Sequence, residues 1–253
     1  MRSRAVIGNW KLNGSLAFNK ALLAALLREI PRQGSAACAV CVPDPYLSQV
    51  QELLAGSGIG WGSQDVSRYE KGAYTGEVSG SMLAEFGCRY ALVGHSERRA
   101  LFGETDQVVA EKYAAARRAK LMPVFCVGET LEEREAGRTE AVLARQVDAL
   151  LGQGGVQELD GGIVAYEPVW AIGTGKTATT AQAQQAHAFI RGRVAARDAK
   201  VAAGLAILYG GSVKASNAKE LFAMPDVDGG LVGGASLVAE EFVAIWHAAG
   251  ARG

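Results

Sequence analysis

The carboxylate of Glu167 follows the apolar run Gly162 to Tyr166 and precedes Pro168, where an ionised group is costly unless it is paired or has a purpose. With a purpose it is a general base; paired, it is half of a structural ion pair. His95 precedes Ser96, Glu97, Arg98 and Arg99 and opens a helix, whose positive end would depress the imidazole pKa and favour the neutral ring. Lys11, two residues after Asn9, is either a cation for a developing negative charge or a solvated lysine like most others. Two segments, Tyr209 to Val213 and Val232 to Ser236, read YGGSV and VGGAS. Their glycines would let main-chain N–H groups approach an anion, with the following helix adding its positive end. Either pair alone also fits an ordinary turn.

From Glu167 to Ala178 the chain reads EPVWAIGTGKTA. Pro168, Val169, Trp170, Ala171, Ile172, Gly173, Thr174, Gly175, Lys176, Thr177 and Ala178 combine two glycines, a proline and an apolar tip, ahead of a helix start at Thr179 or Thr180. This mix suits a lid that closes over a ligand, hinged at Pro168 to Trp170 and at Lys176 to Ala178. GTGKT is no nucleotide loop of the form GxxxxGK[ST], which needs glycine where Trp170 stands.

The elements that must position these groups recur regularly. Short apolar runs occupy residues 4–8, 36–42, 58–62, 89–94, 121–127, 162–166, 205–209 and 228–233. Segments with helical apolar spacing lie between them, such as Leu16 to Ile30 and Ala181 to Ala199. Apolar strands that alternate with helices imply a parallel sheet covered on both faces. Eight such units in a chain of 253 residues fit an α/β fold, a closed (β/α)8 barrel forming a single domain over residues 1–253. An open doubly wound sheet is the alternative, but the first strand is followed by GNWKLNG and not by GxGxxG. In a closed parallel barrel the residues just past the strand ends converge on one face. Asn9, Lys11, His95, Glu167, Ser212, Gly233 and Gly234 all stand at such positions.

Composition excludes several function classes. Twenty-six basic residues balance twenty-six acidic ones, so no global field favours nucleic acid or an anionic membrane. No stretch approaches a bilayer-spanning apolar run, and the amino terminus carries no apolar leader. The four cysteines sit mostly inside apolar runs, as buried thiols of a reducing compartment do, which places the protein in the cytoplasm. Cys38 and Cys41 form a CxxC without a second CxxC or HxxxH, so they read as structural thiols and not as a metal site.

The segments GNWKLN, GHSERR, CVGE, AYEPVWAIGTGKTA, YGGSV and LVGGASL, in this order and spacing, resemble the triosephosphate isomerase family along the whole chain. The resemblance implies a TIM barrel and an isomerase of glycolysis and gluconeogenesis. It would interconvert dihydroxyacetone phosphate and D-glyceraldehyde 3-phosphate through an enediolate, with no cofactor and no metal. By the same resemblance Glu167 is the base, neutral His95 polarises the carbonyl, and Lys11 and Asn9 stabilise the enediolate and phosphate charge. Gly173, Ser212, Gly233 and Gly234 hold the phosphate, while Ser96, Glu97 and Cys126 support the site. A homodimer is also implied, the loop tip Thr75 packing near Lys11 and His95 of the partner subunit.

Leu12, Asp65 and Gly230 depart from the familiar pattern, Asp65 adding a charge near the expected interface and Gly230 adding flexibility to the eighth strand. Asn13-Gly14-Ser15 matches a glycosylation sequon, incidental without a secretory leader. The competing functions are a phosphosugar aldolase with Lys11 as Schiff-base amine, and a silent binding protein that keeps the fold.

Overall fold

The computed structural model describes residues 2–172 and 177–251. Eight strands form, β1 (Ala5–Asn9), β2 (Ala37–Val42), β3 (Ile59–Ser63), β4 (Tyr90–Val93), β5 (Met122–Val127), β6 (Ile163–Tyr166), β7 (Ala206–Tyr209) and β8 (Gly229–Val232). Each coincides with one of the predicted apolar runs. All neighbouring pairs are parallel, and β8 returns to β1 in a register from Ala5↔Gly229 to Gly8↔Val232, closing the barrel.

The helices cover the outside: α1 (Leu16–Glu29), α2 (Leu47–Leu54), α3 (Gly80–Glu85), α4 (Ser96–Phe102), α5 (Asp106–Arg118), α6 (Leu131–Glu135), α7 (Thr139–Gly154), α8 (Thr180–Ala195), α9 (Ala199–Gly204), α10 (Ala215–Phe222) and α11 (Ala239–Gly250). None among the described residues is long and apolar enough to cross a membrane.

Local chemistry sets the boundaries. Ser15 caps α1 by accepting the Phe18 N–H, and Thr179 and Gln182 cap α8 reciprocally, which settles its start. The helix predicted through Ala199 is instead two, because the Asp198 carboxylate captures the N–H groups of Lys200 and Val201 and begins α9.

Successive strand side chains point to opposite faces. Ile7, Cys41, Leu92, Cys126, Ala165 and Leu231 therefore fill the barrel interior, while Val6, Cys38, Val93, Val127 and Val164 pack beneath the helices. Cys38 and Cys41, an odd number of residues apart, thus lie on opposite faces of β2 and share no site. Both are buried free thiols, and burial pushes Cys38 up to about 12.

Two of the departures take on a different meaning. Asp65 is engaged within its own chain, 2.8 Å from Arg98 Nη2 and 2.7 Å from Lys112 Nζ. Gly230 is buried in β8 against Phe222, whose ring would lie 3.1 Å from an added Cβ; it serves close packing there.

Candidate active site

The strand ends that sequence reasoning singles out converge on a cavity of about 440 Å³, lined by Asn9, Lys11, His95, Glu167, Ile172, Gly210, Gly211, Ser212, Leu231, Gly233 and Gly234 among others. Contributions come from the ends of β1, β4, β6, β7 and β8. A closed parallel barrel collects them because all its strands end on one face.

Glu167 leaves β6 with its N–H bound to Val127 O at 2.7 Å, and its side chain is only 2% exposed. The Ser96 N–H donates to Oε2 at 2.9 Å and the Ser96 hydroxyl to Oε1 at 3.4 Å. His95 Nε2 lies 2.9 Å from Oε1. Burial opposes the charge, but the His95 ring, the Ser96 N–H and Lys11 together outweigh it and hold the carboxyl below its usual pKa. Close behind, a Cβ on Gly128 would fall 1.7 Å from the Glu167 carbonyl oxygen, so only glycine fits there.

His95 is the cap residue of α4, its Nδ1 accepting the Glu97 N–H at 3.2 Å. Nδ1 is thereby the acceptor and Nε2 carries the proton that faces Glu167. The expected depression of its pKa is reversed. Burial does pull it down, yet the Glu167 carboxylate, its hydrogen bond and Glu97 raise it above the usual imidazole value. A partner on a distant strand outweighs the local helix end.

Lys11 has φ 51°, a left-handed conformation costing a non-glycine residue about 1–2 kcal/mol. Two side chains hold it: Asn9 Oδ1 accepts the Lys11 N–H at 2.9 Å, and Gln64 Nε2 donates to the Lys11 carbonyl at 2.8 Å. The ammonium reaches Glu97 Oε1 at 2.5 Å. Gln64 is absent from the sequence reading, since a lone glutamine past a strand carries no pattern of its own.

Glu129 closes the segment CVGE but has no role of its own in the sequence reading, although it stands just past β5 by the same rule that exposes Glu167. Wholly buried, it accepts from the Tyr166 hydroxyl at 3.1 Å, Trp170 Nε1 at 2.9 Å and Arg134 Nη1 at 3.1 Å. Its carbonyl takes the Val169 N–H at 3.1 Å, and the Arg134 guanidinium sits 4.6 Å over the Trp170 ring. The predicted first hinge, Pro168 to Trp170, therefore leads into a one-turn 3-10 helix, Val169–Ala171, tied to the residue past β5.

Beyond it, Ala171 is buried and Ile172 lines the cavity. Gly173, Thr174, Gly175 and Lys176 lie outside the described residues. Thr177 is exposed and Ala178 buried ahead of α8. Cys126 points into the barrel, its thiol raised by burial and next by Glu167. Thr75 is exposed and does not line this cavity.

Both glycine pairs reach the cavity, but only the first leads into an α-helix. Gly233 is followed by a single 3-10 turn, Gly234–Leu237, before α11, so no long helix axis stands behind it. Among the described residues no group of three or more His, Cys, Asp or Glu side chains is placed to hold a metal ion.

A family model described as triosephosphate isomerase matches residues 4–249. The chain is 64% identical to a triosephosphate isomerase of Thiobacillus denitrificans over 249 residues, covering 98% of this chain and 99% of that one. It is 60% identical to that of Dechloromonas aromatica, with 98% and 100% covered, and 58% identical to that of Nitrosomonas eutropha, with 98% of each covered. A closed eight-stranded barrel, a carboxylate and an imidazole in contact at its mouth, and matching over nearly the full length lead to one conclusion: this chain belongs to the triosephosphate isomerase family.

Proposed function

We propose that this protein interconverts dihydroxyacetone phosphate and D-glyceraldehyde 3-phosphate by proton transfer through an enediolate. The observation that carries the reading is the contact between His95 Nε2 and Glu167 Oε1 at 2.9 Å, at the mouth of a cavity walled on its other side by glycines. An acid and a base held this close on one cavity wall can serve adjacent carbons of a small substrate.

At rest both carboxylate oxygens of Glu167 are engaged, one by Ser96 N–H and one by His95. Glu167 must turn from Ser96 to remove a proton beside the substrate carbonyl, and that movement frees the Nε2 proton of His95 for the carbonyl oxygen. Lys11, with Asn9 setting its backbone, supplies positive charge for the enediolate and the phosphate. Ser212, Gly233 and Gly234 offer main chain to the phosphate, with Gly173 of the lid completing the set. Excluding water from the site strengthens each of these interactions.

The homodimer is part of the proposal. Leu12 and Phe102, 96% and 68% exposed, are large apolar side chains flanking Lys11 and α4, where the Thr75 loop of the partner subunit would pack. Four buried free thiols support a reducing cytoplasm.

A coupled assay that follows dihydroxyacetone phosphate formed from glyceraldehyde 3-phosphate by the purified protein tests the reaction. Absence of conversion overturns it. Sedimentation of the active species tests the dimer, which a monomer with full turnover would refute.

A further inference from the structure

His187 is wholly buried on α8, and the chemistry described so far makes no use of it. Its Nδ1 lies 3.1 Å from the carbonyl oxygen of Asp226, and the Ile207 backbone also acts on the ring. A buried imidazole on backbone groups alone takes no part in the cavity, and its remaining contacts are aromatic. It meets Tyr166 edge to face, with centroids 5.8 Å apart and planes at 85°, and Tyr209 at 6.4 Å and 32°. The two tyrosine rings are themselves 6.5 Å apart, so the three rings form one cluster at distances where aromatic pairs attract.

The two tyrosines reach the ends of the segment between Glu167 and α8. Tyr166 reaches the first end through Glu129, whose carboxylate also takes Trp170 and whose carbonyl takes Val169. Tyr209 borders both ends. A Cβ added to Gly211 would lie 2.3 Å from its hydroxyl and 2.9 Å from Pro168, so hydroxyl and proline share one small space. On the other side, burial raises the Tyr209 pKa while the Ala178 amide opposes that rise, which sets Ala178 beside the same hydroxyl. His187 is fixed from below, because Asp226 is held by Gln184 and Arg191, each at 2.6 Å.

We propose that His187 is a positioning residue for the isomerisation, a ring packed against both Tyr166 and Tyr209 that keeps Pro168 to Trp170 and Ala178 in a fixed relation to Glu167. The inference rests on the isomerase reading above. His187 touches no atom of the cavity and acts only through the two tyrosines.

The test compares His187→Ala and His187→Phe with the full-length parent, after the parent's turnover has been measured. Failure of the parent to turn over would sink the isomerase reading, whatever the variants do. His187→Phe keeps a ring against the two tyrosines and loses the polar contacts to the Asp226 and Ile207 backbone; His187→Ala loses both. We expect His187→Ala to lower kcat by about ten- to a hundredfold, the scale of a small misplacement near the chemistry, and His187→Phe to restore most of it.

Fluorine NMR of fluorotryptophan-labelled protein supplies a second readout, the Trp170 signal being identified by its loss in Trp170→Phe. Addition of a phosphoglycolate analogue of the enediolate should shift that signal in the parent and in His187→Phe, and shift it less in His187→Ala. A His187→Ala protein with parental kcat and parental Trp170 response, whatever its melting temperature, overturns the proposal. Equal impairment of both variants would overturn it too, since the polar backbone contacts and not the packing of the ring would then be responsible.

Discussion

Glu97 donates its backbone N–H to His95 Nδ1 at 3.2 Å, and through that bond fixes which ring nitrogen carries the proton that faces Glu167. The same residue holds the Lys11 ammonium with its carboxylate at 2.5 Å. One short stretch at the start of α4 thus orients both the imidazole and the ammonium at the cavity.

Shortening the base should preserve this frame and withdraw the reacting oxygen. Glu167→Asp is expected to lower kcat by about two to three orders of magnitude with an unchanged circular dichroism spectrum. Steady-state rates in both directions check it, and a parental rate would dismiss Glu167 as the base.

Glu129 is expected to matter for stability and turnover together. Glu129→Ala leaves Tyr166, Trp170 and Arg134 without their acceptor and should cost about 2–4 kcal/mol. Glu129→Gln keeps one oxygen and should cost less. Urea unfolding of the two variants decides the order, and kcat should fall in the same sequence.

Gly128→Ala places a methyl group on the Glu167 carbonyl oxygen, at 1.7 Å from it before any relaxation. Since backbone faces backbone, neither side can yield cheaply, and a loss of about 3 kcal/mol or more is expected. Thermal melts that coincide with the parent would contradict the close approach.

Acid should weaken the fold through His187. Burial holds its pKa down at about 4, against 6.5 for a free ring, so between these values the unfolded chain binds a proton that the folded chain refuses. Stability is then full above pH 6.5 and falls as pH drops toward 4, by about 3 kcal/mol in all. His95 acts in the other direction and elsewhere. Its raised pKa gives a stabilisation that is full below the ordinary imidazole value and lost as pH rises through the raised one. Glu167, lowered, contributes above the ordinary carboxylate range and loses that contribution only in stronger acid. Urea unfolding at pH 7 and pH 4.5 should therefore show a steeper decline for the parent than for His187→Phe; parallel declines would count against it.

The eight strands were legible because a parallel sheet covered on both faces demands continuous apolar runs, and each run declares itself locally. The site residues at strand ends were legible for a related reason, since Lys11, His95 and Glu167 interrupt or end those runs with charge. What stayed hidden depended on partners far along the chain. The direction of the His95 shift is set by Glu167, the placement of Asp65 by Arg98 and Lys112, and the conformation of Lys11 by Gln64. The break between α8 and α9 was readable from Asp198 but lost against the helical spacing around it.

The seam between β1 and β8 has a consequence in time. Asn9 and Lys11 leave the ribosome long before Gly233 and Gly234 do. The Ala5 N–H donates to the Asp228 carbonyl at 3.2 Å, an acceptor that comes late in the chain, and Arg4 donates to the carbonyl of Ala249, later still. Until β8 is made, β1 can pair only with β2, so the nascent sheet keeps one open edge, and the two sides of the cavity meet only when that edge closes.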